Sequence, residues 1–120
     1  MDQVTSVPVS QDLTVTWSGG DPQGFVTITG ISSAVPEGGR ADANTPGMVF
    51  LCVERASAQR FVVPSVILQT LPLTPANSQI PTSFMLVGAS SPSIPFTASG
   101  LDSGYLTYRT LSGKNITFGR

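Results

Sequence analysis

The sequence predicts an all-β protein, an antiparallel β-sandwich formed by a single domain over residues 1–120. Charged residues are only 11% of the chain, whereas a helical surface would carry Glu, Lys and Arg four residues apart. Apolar and polar residues alternate with a period of two in several short segments, which is typical of half-buried strands. The 12 glycines and 10 prolines separate these segments at spacings of about a dozen residues, as in β-sandwiches.

The segment around which we expect the fold to be organised is a β-arch near the N-terminus. Asp12–Trp17 alternates apolar and polar residues, and Trp17 is the largest side chain on its apolar face. Ser18–Gly24 is rich in Gly, Pro and Asp, which favour turns. Phe25–Ile31 alternates again and returns as a second strand. We expect Trp17 to lie in the core.

The remaining predicted strands follow in order along the chain. Val4–Ser10 is a short edge strand, because Pro8 cannot donate to a central ladder. The others are Gly47–Arg55, Arg60–Val63, Thr82–Gly88, Ile94–Ser99, Gly104–Thr110 and Asn115–Phe118. The last two are predicted to form a hairpin across a turn at Leu111–Lys114.

Gly47–Arg55 is apolar at both odd and even positions, which predicts a central strand covered on both faces. It places Cys52 in the interior, where a thiol behaves as a small hydrophobe. The short polar turn Ala56–Gln59 predicts a hairpin between this strand and Arg60–Val63.

One short helix is predicted near residues 65–71, between Pro64 and Pro72. Ser65 would cap its N-terminus, and three apolar residues, Ile67, Leu68 and Leu71, would cover an open end of the sandwich. By contrast Ser32–Pro46 has no periodicity, and we expect a loop there that is long enough to be functional.

Composition excludes several classes of function. The net charge is −1 with scattered basic residues, so the chain offers no basic patch for nucleic acid. It has no histidine and only one cysteine, which removes His-dependent catalysis, a zinc site and any internal disulfide. No apolar run approaches the roughly 20 residues of a membrane span. We expect no cofactor and no membrane insertion.

The carboxylates are the only remaining catalytic or metal-binding groups. A glycosidase would need two of them flanking a cleft, and the candidates are Asp12, Asp21, Glu37, Asp42, Glu54 and Asp102. Most lie in turn motifs, where capping and turn hydrogen bonds explain an aspartate. No spacing typical of a calcium loop occurs, so turn chemistry is favoured over a calcium site. We predict that the protein is not an enzyme.

Carbohydrate binding is a separate possibility, because sugars stack on exposed aromatic rings. Trp17 is expected in the core, which leaves Tyr105 and Tyr108. These two have opposite parity along the predicted strand, so we expect at most one of them to face solvent.

Three phrases together resemble a known module: LTVTWSGGDPQG at Leu13–Gly24, RFVVPSVILQTL at Arg60–Leu71 and ASGLDSGYLTYRTLSGK at Ala98–Lys114. They resemble the C-terminal β-sandwich module of large secreted bacterial proteins, particularly those of acidobacteria. Phe50–Cys52 is similar to its central strand. The resemblance implies an immunoglobulin-like sandwich of about seven to nine strands, an extracytoplasmic location and a non-enzymatic role. It supplies no catalytic residue, ligand or partner.

We therefore expect a non-catalytic structural or interaction module, extracellular or on the cell surface, that contacts neighbouring domains or surface proteins. One alternative is a carbohydrate-binding module. Another is a self-associating subunit, in which Val4–Ser10 pairs with the sheet edge of a neighbour. The candidate contact residues lie in the Ser32–Pro46 loop and in or near the turns Gly19–Gly24 and Gly100–Gly104: Asp21, Glu37, Arg40, Asp42, Asp102, Tyr105 and Tyr108.

Overall fold

The computed structural model describes residues 4–36, 42, 44–75 and 80–120. It is an all-β sandwich. Its strands are β1 (Ser6–Pro8), β2 (Leu13–Thr16), β3 (Phe25–Ser33), β4 (Gly47–Arg55), β5 (Arg60–Val63), β6 (Ser83–Ser90), β7 (Ile94–Phe96), β8 (Gly104–Leu106), β9 (Arg109–Asn115) and β10 (Thr117–Gly119). One helical turn, α1, spans Ser65–Leu68. The all-β class is confirmed.

The larger layer is a four-stranded antiparallel sheet in the order β4-β3-β6-β9. β3 pairs along its whole length with β4, from Phe25 opposite Arg55 to Ser33 opposite Gly47. The register places even-numbered residues of β3 and β4 on one face and odd-numbered residues on the other. We call these the inner face and the outer face.

The inner face is covered by two short strand pairs, β2 with β5 (antiparallel) and β1 with β10 (parallel). Because β2 and β3 belong to different sheets, the predicted arch is confirmed. Apolar residues of both layers form one core: Val7, Val9, Val15, Val26, Ile28, Phe50, Ala56, Val63, Leu68, Leu71, Met85, Ile116 and Phe118.

Trp17 lies at the end of β2, half-buried and packed against this core. Its Nε1 donates to the carbonyl oxygen of Ala56 at 2.8 Å. A buried indole needs such a partner, and this one ties the arch to the connection between β4 and β5.

The predicted helix near residues 65–71 is present but shorter and differently capped. Ser65 does not cap it, since the N-cap position is Pro64 and its side chain provides no bond. Asp12 Oδ1 instead accepts the Ser65 N–H at 2.7 Å, which satisfies one of the free donors of the first turn. Leu68 and Leu71 are buried as predicted, whereas Ile67 is exposed.

The prediction that Gly47–Arg55 is a central strand is wrong. β4 lies at the edge of the four-stranded sheet and only its inner face meets the core. The predicted hairpin with Arg60–Val63 is also wrong, because β5 pairs with β2. A 3-10 helix at Ala56–Ala58 and the left-handed Gln59, at φ 55°, carry the chain into the other layer.

The predicted turn at Leu111–Lys114 is also wrong, because these residues lie inside β9. Gly113 stands there without turning the chain, since the side chain of Leu86 packs over it and leaves no room for a Cβ. A glycine in a strand often marks such a close approach rather than a turn.

The predicted N-terminal edge strand is confirmed at its centre, as β1. β1 pairs with β10 of the same chain, from Ser6 opposite Thr117 to Pro8 opposite Gly119. One edge of β1 is therefore paired within the chain, and pairing with the sheet edge of a neighbour stays a prediction. Within the described residues no helix is both long and apolar enough to cross a bilayer. The immunoglobulin-like topology stays a prediction.

Candidate functional site

The outer face of the four-stranded sheet is an apolar surface that no other part of the described chain covers. Val49, Leu51 and Val53 on β4 are 62%, 64% and 53% exposed. Phe25, Phe84 and Leu111 extend the same face onto the other three strands, and all three are exposed. Apolar area of this kind marks a contact surface when it forms a contiguous patch.

The pairing register shows that these side chains are neighbours. One row across the sheet joins Val53, Thr27, Gly88 and Leu111, and the next joins Leu51, Thr29, Leu86 and Gly113. The two glycines allow neighbours to lie close, since Leu86 packs over Gly113 and Leu111 packs 3.0 Å from the Cβ position of Gly88. These rows are therefore uncharged, with apolar side chains from β4, β6 and β9 and threonines from β3 between them.

Charge is confined to one end of the outer face. Arg55 and Arg109 occupy the last row, beside Phe25 and Ser90. The described residues place no other charged side chain on this face. An apolar centre with charge at the margin is the arrangement of protein–protein contact surfaces.

A groove of about 410 Å³ lies on the opposite side, between the loop after β2 and the inner face of β6 and β9. It exists because β2 and β5 form only a two-stranded layer, which leaves Thr110 and Ser112 of β9 exposed. Tyr108, Trp17 and Asp21 line it together with these hydroxyls.

The aspartates mostly satisfy backbone donors in turns, as predicted. Asp21 Oδ1 accepts the Gln23 N–H at 2.8 Å, and Asp42 Oδ1 accepts the Asn44 N–H at 2.9 Å. The described residues contain no group of three His, Cys, Asp or Glu side chains that could hold a metal ion.

The predicted contact residues are only partly brought together. Asp21 and Tyr108 meet at the groove, whereas Asp102 and Tyr105 lie on the segment between β6 and β9. Asp42 lies in the connection before β4. Two of the predicted residues, Glu37 and Arg40, lie outside the described residues.

The expectation that at most one tyrosine faces solvent is wrong. Tyr105 and Tyr108 are 68% and 69% exposed. The alternation on which the expectation depended is interrupted, because β8 ends at Leu106 and β9 begins at Arg109. Alternation within one strand does not predict which way a side chain beyond such a break points.

The outer face itself was missed by the sequence analysis, although its signal was present. The run Gly47–Arg55 is apolar at both parities, and so is Phe84–Val87. We interpreted such a run as a strand covered on both sides within one chain. The same pattern arises when one face meets the core and the other meets a partner.

Cys52 lies on the inner face of β4 and is half-buried. Burial raises the pKa of its thiol above the usual value, because desolvation disfavours the thiolate. A protonated thiol is a poor nucleophile.

No protein-family model, curated protein or solved structure matches the chain. The resemblance to the module of secreted bacterial proteins therefore stays a prediction. The functional argument depends on the geometry of the outer face and the groove.

Proposed function

We propose that the protein is a non-catalytic structural or interaction module whose outer face docks on an apolar surface of a neighbouring folded domain or surface protein. The observation that carries this proposal is the uncovered outer face, with Val49, Leu51 and Val53 more than half exposed. Burial of each of these side chains would stabilise the bound state by roughly 25 cal/mol per Å² of apolar area removed from water.

The partner surface follows from the chemistry of the outer face. Since the described residues of the outer face carry charge only at Arg55 and Arg109, a charged partner would lose its hydration without finding an opposite charge at the centre. An apolar, uncharged protein surface fits the centre. Acidic or polar groups at its margin fit the two arginines.

The proposed location is the outside of a bacterial cell. It is supported by the resemblance to modules of secreted proteins and by a sequence that is rich in Ser and Thr and only 11% charged.

Cysteine labelling in the cells that normally produce the protein tests both parts. In a Cys52→Ala background, Thr29→Cys places a thiol at the centre of the outer face. Gln11→Cys places a control thiol in the exposed turn after β1. With a membrane-impermeant maleimide, we expect Gln11→Cys to react in intact cells as fast as in dilute purified protein. Thr29→Cys should react about tenfold or more slowly in cells, because a covered site reacts only when the interface opens.

Two results would count against the proposal. Equal labelling of Thr29→Cys in cells and in dilute solution would mean that nothing covers the outer face. Labelling of Gln11→Cys only after cell lysis would place the protein inside the cell.

A second candidate function is carbohydrate binding in the groove. The observation that favours it is that the exposed Tyr108 lines the groove beside Asp21, Thr110 and Ser112. An aromatic ring among hydroxyl and carboxylate groups offers a sugar one stacking surface and several hydrogen-bond partners.

A glycan array probed with the wild-type chain and two tyrosine variants tests this candidate. Tyr108→Ala should abolish any signal, and Tyr105→Ala is the matched control because Tyr105 is equally exposed but does not line the groove. An array without signal for the wild-type chain, or equal loss with both variants, would remove the candidate.

A further inference from the structure

Residues 91–108 form a two-stranded arm that extends the β6–β9 hairpin beyond the four-stranded sheet. The Ser91 N–H donates to the Tyr108 carbonyl oxygen at 2.9 Å, and the Ser93 and Thr107 hydroxyls bond at 2.9 Å. β7 and β8 then pair, from Ile94 opposite Leu106 to Phe96 opposite Gly104. At about 3.3 Å per residue, the six residues from 91 to 96 carry the arm about 20 Å from the sheet.

No other part of the described chain covers either face of the arm. Ile94, Phe96 and Leu106 share one face, Tyr105 lies on the other, and all four are exposed. β7 and β8 pack mainly against each other. A two-stranded hairpin alone is at best marginally stable in water, so this arm needs a surface from outside the chain.

The shape of the molecule agrees with a protruding arm. The longest dimension is 53 Å and the radius of gyration is 17.3 Å, whereas a compact domain of this length has a radius of gyration of about 14 Å.

Charge identifies a partner that fits the arm. Within residues 91–108 Asp102 is the sole charged residue, and it lies in the loop at the tip. Arg109 is exposed at the base of the arm, directly after Tyr108. The length of the arm separates this acid and this base within one chain. Two arms lying side by side in opposite directions bring the tip of each to the base of the other.

We infer that the arm binds a second copy of this chain: two arms pack antiparallel about a two-fold axis, through the face of Ile94, Phe96 and Leu106, with Asp102 of each copy beside Arg109 of the other. The contact is isologous, since both copies contribute the same residues. It uses a different apolar surface from the outer-face contact proposed above, although Arg109 borders both surfaces, and it differs from the strand pairing expected for Val4–Ser10.

Sedimentation of the purified chain over a wide concentration range tests the inference. We expect a monomer–dimer equilibrium for the wild type. Leu106→Glu and Ile94→Glu should each weaken the dimer about a hundredfold, because a charge would be buried without a partner at the centre of the contact. Leu51→Glu, on the outer face, is the matched control and should leave the dimer unchanged.

Charge exchange tests the antiparallel arrangement. Asp102→Arg and Arg109→Asp should each weaken the homodimer about tenfold, since like charges then meet at both ends. A one-to-one mixture of the two variants should regain wild-type association, because in the heterodimer both contacts again join an acid and a base.

A wild type that remains monomeric at all concentrations would overturn the inference. So would a dimer that survives Leu106→Glu, or a mixture that associates no better than either variant alone. A dimer lost with Leu51→Glu but not with Leu106→Glu would overturn the arm contact and place the contact between copies on the outer face. Equal labelling of Thr29→Cys in cells and in solution would instead remove the outer-face proposal and leave the arm contact standing.

Discussion

The two faces of the four-stranded sheet have similar apolar side chains but different surroundings. On the inner face Ile28 and Met85 are each 1% exposed, whereas on the outer face Leu51 is 64% exposed. Both sets lie on the same strands and alternate residue by residue. The inner face is covered because β2, β5, β1 and β10 pack on it. Alternation therefore determines which residues share a face, whereas the presence of a second layer determines whether that face is buried.

The largest expected difference comes from truncating one apolar side chain on each face. Ile28→Ala should lower the free energy of unfolding by about 2–5 kcal/mol, because it removes buried contacts and leaves a cavity. Leu51→Ala should change it by less than about 0.5 kcal/mol in the monomer. Urea unfolding in dilute solution measures both. Similar losses from the two variants would mean that the outer face is already covered in the isolated chain.

Hydroxyl groups give a second pair, at adjacent positions of β3. Ser32 is fully buried, and its Oγ donates to the Pro72 carbonyl oxygen at 2.6 Å. It also lies 2.9 Å from Ser83 Oγ. Ser32→Ala should cost about 1–3 kcal/mol, since it leaves a buried acceptor without a donor. Ser33→Ala, one residue along on the outer face, should cost less than about 0.5 kcal/mol.

Thermal unfolding of the two serine variants is the measurement, with Ser33→Ala as the control for the loss of a hydroxyl in this strand. If both variants unfold with the wild type, the bonds to Pro72 and Ser83 do not hold the inner face to the segment after α1. The comparison of the two faces would then depend on apolar packing alone.

A third pair adds a methyl group at a glycine on each face. Gly30→Ala would drive the new methyl group into the ring of Phe50, which is itself buried, and should cost about 1–3 kcal/mol. Gly113→Ala meets the flexible side chain of Leu86, which can rotate toward solvent. It should cost less than about 1 kcal/mol, because Gly is itself unfavourable in a strand. Equal costs in denaturant unfolding would contradict this difference.

The sequence predicted strands well and their partners poorly, for a physical reason. Alternation around Trp17 and the glycine-rich turn after it were enough to predict the arch, because these are local signals. The pairing of β5 with β2 could not be predicted, since it depends on one left-handed residue, Gln59, that redirects the chain. Gly113 was predicted to lie in a turn, since glycine favours turns. Its role is instead to accommodate Leu86, and this contact with another strand has no local signal in the sequence.

The candidate sites could also be predicted only where their signal is local in the sequence. Asp21 was predicted as a contact residue from its turn, and it lines the groove. The outer face could not be predicted as an uncovered surface, since the pattern of Gly47–Arg55 is the same for a strand buried on both sides. The arm could not be predicted because the break between Leu106 and Arg109 carries no strong turn signal. The outer face and the arm are exposed because no other element of the described chain packs on them, and local sequence patterns do not show this.

The smallest expected effect concerns Cys52, which lies where the cover of the inner face ends at the edge strand β4. Burial raises the pKa of this thiol, so the folded protein keeps the proton at a pH where the unfolded chain, with a thiol pKa of about 8.5, has lost it. Stability should therefore fall as the pH rises above that value, whereas Cys52→Ser should lack this contribution.

In parallel, Cys52 should react with a maleimide more slowly than Thr29→Cys in the Cys52→Ser background, because the outer-face thiol is not desolvated by the core. Equal rates in dilute solution, where the outer face has no partner, would mean that the inner face at β4 is as open to water as the outer one.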